Sequence, residues 1–409
     1  LGRQGPRVLL GLRTVDGATE GDRYGLWNAR EYLSGGSVLE DDHQAGSPPE
    51  YVHPDELDDE PNCYSPVALY SEDIHYSISK ALRALVIPTV SDLASSVGLD
   101  PERFRHGVPC HGEDDPQGRA GEMDLSELER AAAALIAAGY PLLLTFNYGT
   151  AFRRVYDDVA AGVRLVDELI IAHHGSRLRK VRGGQGDLAL SDTRTWAWYH
   201  VDGALGAAFA PYLTGTNHEL PGFDFHSQVH SISTSGHKWL GAPWPLGVFM
   251  TKRRYQLRPP HVPYIGGSDS TFGGSRNGLS AVLLWTYLAR SGVDANQTKA
   301  TRLQDLADLT EAKLRDLDRE ISQRHGLALN VQRSRRALTL RFRKLSNHLV
   351  DRYSLSCSRL HQQIDGVTRQ VNVSHLFIMD HVDEALINRF ISDIRDAGAG
   401  AVHPDYLVG

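Results

Sequence analysis

The chain has 409 residues, 41% of them hydrophobic and 23% charged, with a formal net charge of −7. That balance fits an ordinary globular protein and lies far from the basic character of a nucleic-acid binder. The acidity is local. Residues 31–79 hold 12 carboxylates and no Lys or Arg, which leaves 38 acidic against all 43 basic residues elsewhere.

In chain order, Val15-Asp16-Gly17-Ala18-Thr19-Glu20-Gly21-Asp22 reads as a small-residue turn before a helix over 24–32. Backbone N–H groups at such a helix start favour a phosphate. The acidic stretch, about 40–66, contains Pro48, Pro49 and Pro54 and has little periodicity. It reads as a long surface insertion or a disordered loop. Asp124 opens a helix, with Glu127 completing a capping box and Gly139 as its C′ residue. An apolar strand over 142–146 follows and ends at Asn147-Tyr148-Gly149-Thr150. A second strand, 196–201, ends at Asp202-Gly203, and a third, 229–233, ends at Ser235-Gly236-His237-Lys238.

This alternation predicts an α/β domain with a mostly parallel central sheet. Ligands of such sheets bind beyond the carboxyl ends of the strands. After Gly292 the pattern changes. Leu303, Leu306, Leu309, Leu314, Leu317 and Ile321 keep a helical period. Residues 337–343 alternate as a half-buried strand, 375–379 form another, and 383–396 form a last helix with Leu386, Phe390 and Ile394 inward. The expectation is a large domain over 1–292 and a small α+β domain over 293–409.

Three residues carry chemistry. A lone Lys is usually a solvated surface group. Lys238, however, sits between His237 and Trp239 in an apolar turn after a strand. A desolvated amine there has the lowered pKa that a Schiff-base lysine needs. Asp202, at a strand end before Gly203 and Ala204, is either a helix N-cap or the partner of a pyridinium nitrogen. Ala204 would leave room for the flat face of the ring. His75, in Tyr70-Ser71-Glu72-Asp73-Ile74-His75-Tyr76-Ser77, is either structural or a ring that stacks on a cofactor.

Taken in order, these runs resemble the group II pyridoxal-phosphate decarboxylases of the histidine decarboxylase type. The matching runs also include Asp157-Asp158, His200-Val201-Asp202-Gly203-Ala204, Ser233-Thr234-Ser235-Gly236-His237-Lys238 and Gly274-Ser275-Arg276-Asn277-Gly278. The resemblance implies the pyridoxal-phosphate-dependent transferase fold (fold type I) and pyridoxal 5'-phosphate as cofactor. It implies that Lys238 carries the cofactor, Asp202 binds its ring nitrogen and His75 stacks on the ring. Gly17, Ala18, Thr19, Ser235 and His237 would surround the phosphate, and Ser275 would reach it across a homodimer interface. Asn147, Thr150 and His200 fall in the matching runs and join the expected cofactor shell. Tyr264 would stand near the proton donor. The family usually has Asn where this chain has Asp22, Gly where it has Ala18, and a longer segment before the phosphate turn.

The implied reaction is decarboxylation of an L-amino acid to its amine and CO₂, with histidine as the first substrate to test. Valine or leucine, serine and aromatic amino acids are alternatives. So are oxidative deamination and, further off, a non-catalytic homologue. Cys63, Cys110 and Cys357 are too few for a disulfide framework, which points to a reducing, cytoplasmic setting. No run is long and apolar enough to span a membrane. The chain starts at Leu1 without a signal-type apolar stretch, so its N-terminus reads as missing or processed. His106, Cys110 and His111 lack a fourth ligand for a metal. His173-His174 reads as a surface loop. Arg333, Arg335, Arg336, Arg341 and Arg343 read as a solvated basic face, or one that meets the acidic stretch, with no nucleic acid implied.

Overall fold

The fold is taken from a computed structural model that describes residues 10–36, 61–113, 115–183, 190–256, 261–269, 271–364 and 367–406. Most of the acidic stretch therefore lies outside the described residues. The first part of the chain forms β1 (Leu10–Val15), α1 (Ala18–Leu33), β2 (Val67–Tyr70), α2 (Tyr76–Ala84), α3 (Val90–Leu93) and α4 (Leu125–Ala137). It continues with β3 (Leu142–Asn147), α5 (Val159–His174), β4 (Leu178–Gly183), β5 (Leu190–Thr195), β6 (Ala197–Asp202), β7 (Ser231–Ser235) and β8 (Gly247–Lys252). Then come β9 (His261–Val262), β10 (Gly267–Ser268), α6 (Leu279–Arg290) and the long α7 (Val293–His325). The chain closes with β11 (Thr339–Arg343), α8 (Asn347–Tyr353), β12 (Ser356–Ile364), β13 (Val367–Phe377) and α9 (Glu384–Ala397).

Six strands make the central sheet in the order β1-β8-β7-β6-β3-β2. The pairs β2–β3, β3–β6 and β6–β7 are parallel, and only β8 runs against the rest. The sheet is covered on both faces, so β2, β3 and β6 are buried along their length and mostly apolar. Leu142, Leu144 and Phe146 face one core with α4 and α5, while Leu143 and Trp198 face the other with Leu26 and Leu33 of α1. The first of these cores is continuous into the C-terminal part. There α7 and α9 pack on the antiparallel sheet β11-β13-β12 through Leu314, Leu317, Leu340, Phe342 and Phe390.

Several expectations are corrected by these contacts. Asp124 caps α4 by accepting from the Ser126 N–H, and Glu127 pairs with Arg103 and Arg130, so the reciprocal box is absent. Residues 339–342 are buried on both faces and do not alternate, because α7 and α9 cover one side and the segment holding Glu113 meets the other. Leu309 turns outward from α7. His173 and His174 end α5, with His174 stacked 3.9 Å from Trp196, so they are not a loop. Much of the basic run is paired, while Arg335 and Arg336 stay exposed. Arg333 meets Asp308 and Glu311, Arg335 meets Glu122, and the fully buried Arg341 forms two 2.9 Å bonds to Glu113. Glu113 also takes Arg153, which reaches on to Asp73.

Candidate active site

The sheet register brings the functional turns together. Val15, Gly247 and Ser235 stand side by side, as do Asn147, Asp202 and Ser233. The turn after β1 must then pass very close to β8. A Cβ on Gly247 would lie 2.9 Å from the Cα of Gly17. Gly17 itself has φ of +113°, and a Cβ there would meet the His237 ring at 3.1 Å. Glycine is required at both positions, for close approach at one and for its backbone region at the other.

A cavity of about 290 Å³ opens at this edge. Gly17, Ala18 and Thr19 line it from the start of α1, and Ser235, His237 and Lys238 from the turn after β7. Asp202 and Ala204 line it from the end of β6, and His75 from the start of α2. The Ala18 N–H donates to Ser235 Oγ at 3.0 Å, and Gly17 caps α1 with no side-chain partner. The first turn of a 16-residue helix is thus aimed into the cavity, as an anion site requires. His75 caps α2 through Ser77, with its Nδ1 2.8 Å from Ser77 Oγ. Burial holds its pKa below the usual value, and the Lys238 charge adds to this.

Electrostatics set Asp202 and Lys238 apart. Asp202 is buried and, among the described residues, accepts a single bond, from the Ala204 N–H at 3.1 Å. Burial, reinforced by Asp22, raises its pKa to about 7. Burial also lowers the Lys238 pKa; Arg154 pushes the same way, while Asp202 and Asp22 oppose it.

Asp22 and Ser77 line the cavity as well, beyond the residues expected from sequence. Asp22 is buried and held by three neighbours: Ser77 at 3.2 Å, His200 Nε2 at 3.3 Å and Ser233 Oγ. Two signals pointed toward them. Asp22 departs from the family's Asn, and Ser77 stands two residues after His75.

Other expected residues lie elsewhere. Asn147 is buried with its amide on Ser71 Oγ, and Thr150 accepts from the Val155 N–H. His200 is fully buried between Ser231 and Asp22. None of the three lines the cavity; strand-end side chains point to either face, and these point into the packing. Ser275 is exposed, and Tyr264 is 90% exposed, so neither reaches the cavity of its own chain. Asp16 lines the cavity too, and its Oδ1 accepts from the Asn277 amide at 2.9 Å.

This fold, with a half-buried lysine, a buried carboxylate and a glycine turn meeting at the strand ends, is that of the fold type I pyridoxal-phosphate enzymes. No protein-family model matches the chain. It is 27% identical over 301 residues to the histidine decarboxylase of Mesorhizobium japonicum, covering 73% of this chain and 59% of that protein. It is 25% identical over 282 residues to serine decarboxylase 1 of Oryza sativa subsp. japonica, covering 68% of this chain and 48% of that protein. The chain thus spans about half the length of these curated relatives. Among solved structures, L-methionine decarboxylase from Streptomyces sp. 590 matches with 33% identity and a TM-score of 0.82. That match covers 96% of this chain and 80% of the other. The chain belongs to the group II pyridoxal-phosphate-dependent amino acid decarboxylases.

The cavity fits that cofactor on its own evidence. Asp202 is a buried carboxylate with one hydrogen bond, which calls for a cation such as a protonated ring nitrogen. Ser235 and the α1 N-terminus offer an anion site, and Lys238 offers an amine.

Proposed function

We propose that the protein decarboxylates an L-amino acid to the primary amine and CO₂, consuming one proton. The observation that carries this reading is the pairing of Lys238 and Asp202 in one cavity with the Gly17 turn. Bound there, pyridoxal phosphate supplies an electron sink for the pair released when the bond to the carboxylate breaks. The protein's own residues do the rest. Gly17, Ala18, Thr19, Ser235 and His237 bind the phosphate, and Asp202 keeps the ring nitrogen protonated. His75, held neutral by burial, faces the ring. Burial of Lys238 raises its share of neutral amine, the form that bonds to a carbonyl.

Histidine is the first substrate to test. A second reading, an apolar side chain such as that of methionine, is supported by the neighbouring cavity. Lys238 also lines that one, with Leu205, Phe209, Leu240, Leu338 and Ile378.

We read the working unit as a homodimer. Among the residues of α6 only Ser280 is buried, while Leu279, Val282, Trp285 and Leu288 are about half exposed or more. An apolar helix left open in this way supports a second copy covering it. The partner would then bring Ser275 and Tyr264 to the other chain's site. Among the described residues no helix is long and apolar enough to cross a membrane. A cytoplasmic setting is supported by the three free cysteines.

The test is purification with pyridoxal phosphate, followed by a screen of the twenty amino acids for CO₂ and amine. Visible absorbance that disappears in Lys238→Ala, together with stoichiometric amine, is the expected result. Aldehyde and ammonia in place of amine and CO₂ would redirect the reading to oxidative deamination. Absence of cofactor uptake would refute both.

A further inference from the structure

The second cavity, also about 290 Å³, lies between the turn after β7 and the small domain. Arg154 lines it together with Lys238. Three features of Arg154 are costly. Its backbone has φ of +55°, a left-handed conformation that non-glycine residues rarely adopt. Its Nε and Nη1 atoms are sealed from solvent and have no hydrogen-bond partner. No carboxylate pairs with it among the described residues; its nearest ring contact is Phe377, at 4.9 Å. Burial lowers its pKa to about 10, with only Tyr156 opposing. Three other arginines nearby have acids: Arg153 and Arg341 have Glu113, and Arg333 has Asp308 and Glu311. The other charges of the cavity are also spoken for. Lys299 pairs with Asp380, which also takes Arg302.

We propose that Arg154 is the substrate-carboxylate receptor, an unpaired guanidinium kept beside Lys238 to take a carboxylate of the amino acid. The inference rests on the decarboxylase reading and deepens it. Burial desolvates the guanidinium, which strengthens its pair with a carboxylate and positions the amino acid beside the amine of Lys238. If the carboxylate is the one lost as CO₂, the product amine leaves Arg154 without a partner and is bound more weakly. If it is a side-chain carboxylate, the enzyme selects acidic amino acids and the product retains the pair.

The test titrates the cofactor-loaded enzyme with amino acids and with the corresponding amines, following binding by the change in absorbance. Wild type, Arg154→Gln and Arg154→Gly are compared; the glycine variant suits the positive φ should glutamine fail to fold. Wild type should bind its amino acid about 10- to 100-fold more tightly than a ligand lacking that carboxylate. Both variants should lose this ratio while retaining cofactor and affinity for the carboxylate-free ligand. Loss with apolar amino acids assigns the α-carboxylate; loss confined to acidic amino acids assigns the side chain. A ratio unchanged in the variants, with cofactor bound, overturns the role of Arg154 alone. Failure of wild type to take up cofactor overturns the function and the inference with it.

Discussion

Replacing Asp202 by Asn should stabilise the cofactor-free protein while weakening its hold on the cofactor. Without the cofactor, Asp202 is a buried acid whose pKa is raised from 3.8 to about 7 by burial and by Asp22. The unfolded chain ionises it near the lower value. Stability contributed by the protonated form is therefore lost as pH rises from about 4 through about 7. The three-unit displacement corresponds to roughly 4 kcal/mol, of which about 2–3 kcal/mol falls between pH 5 and pH 8. Asn keeps the acceptor for the Ala204 N–H and carries no charge, so it escapes this loss. Urea unfolding of the cofactor-free wild type and Asp202→Asn at pH 5 and pH 8 measures the difference. The variant's advantage should grow with pH by that amount, while titration with pyridoxal phosphate should show weaker uptake. An advantage that is independent of pH, or a variant that is less stable at pH 8, would refute the account of a penalised carboxylate awaiting a cation.

Other substitutions test separate parts. Gly17→Val should cost about 1–3 kcal/mol of backbone strain and press on the His237 ring, seen as a lower melting temperature and at least tenfold weaker cofactor uptake. Arg341→Leu leaves Glu113 with Arg153 alone in the domain contact and should destabilise the protein by about 3–5 kcal/mol in urea unfolding. Trp285→Glu puts a charge on the open face of α6 and should shift the protein toward monomer in sedimentation, with activity falling in parallel. Tyr264→Phe should lower turnover without changing cofactor uptake, because it keeps the ring and removes only the hydroxyl that could pass a proton. An effect on uptake equal to that on turnover would remove it from proton transfer.

Three of the six strands of the central sheet, β3, β6 and β7, were readable because each leads into a polar, glycine-containing turn, as in 142–146 before Asn147. The hairpin of β4 and β5 and the strand β12 escaped notice because their sequences, such as Leu178-Arg179-Lys180-Val181-Arg182-Gly183, mix charge with short apolar runs. Lys238, Asp202 and His75 stood out as chemical types at strand or helix ends. Asp22 did not, since its partners His200 and Ser233 lie 178 and 211 residues away and only folding makes them neighbours. Asn147 and Thr150 show the converse. A turn can be placed correctly while its side chains face the packing. Arg154 was passed over because nothing local marks an arginine that will be buried without an acid.

The cofactor cavity is walled by turns from β1, β6, β7 and the start of α2, segments far apart in the chain. Whatever binds there ties these segments to one another, and it does so only in the native state. A ligand at a hundred times its dissociation constant would add about 2.7 kcal/mol to global stability. Cellular proteases act on the fraction of chains that open. The steady amount of this enzyme, and not merely its rate, should then follow the vitamin supply of the cell, so that starvation for the cofactor clears the protein rather than storing it idle.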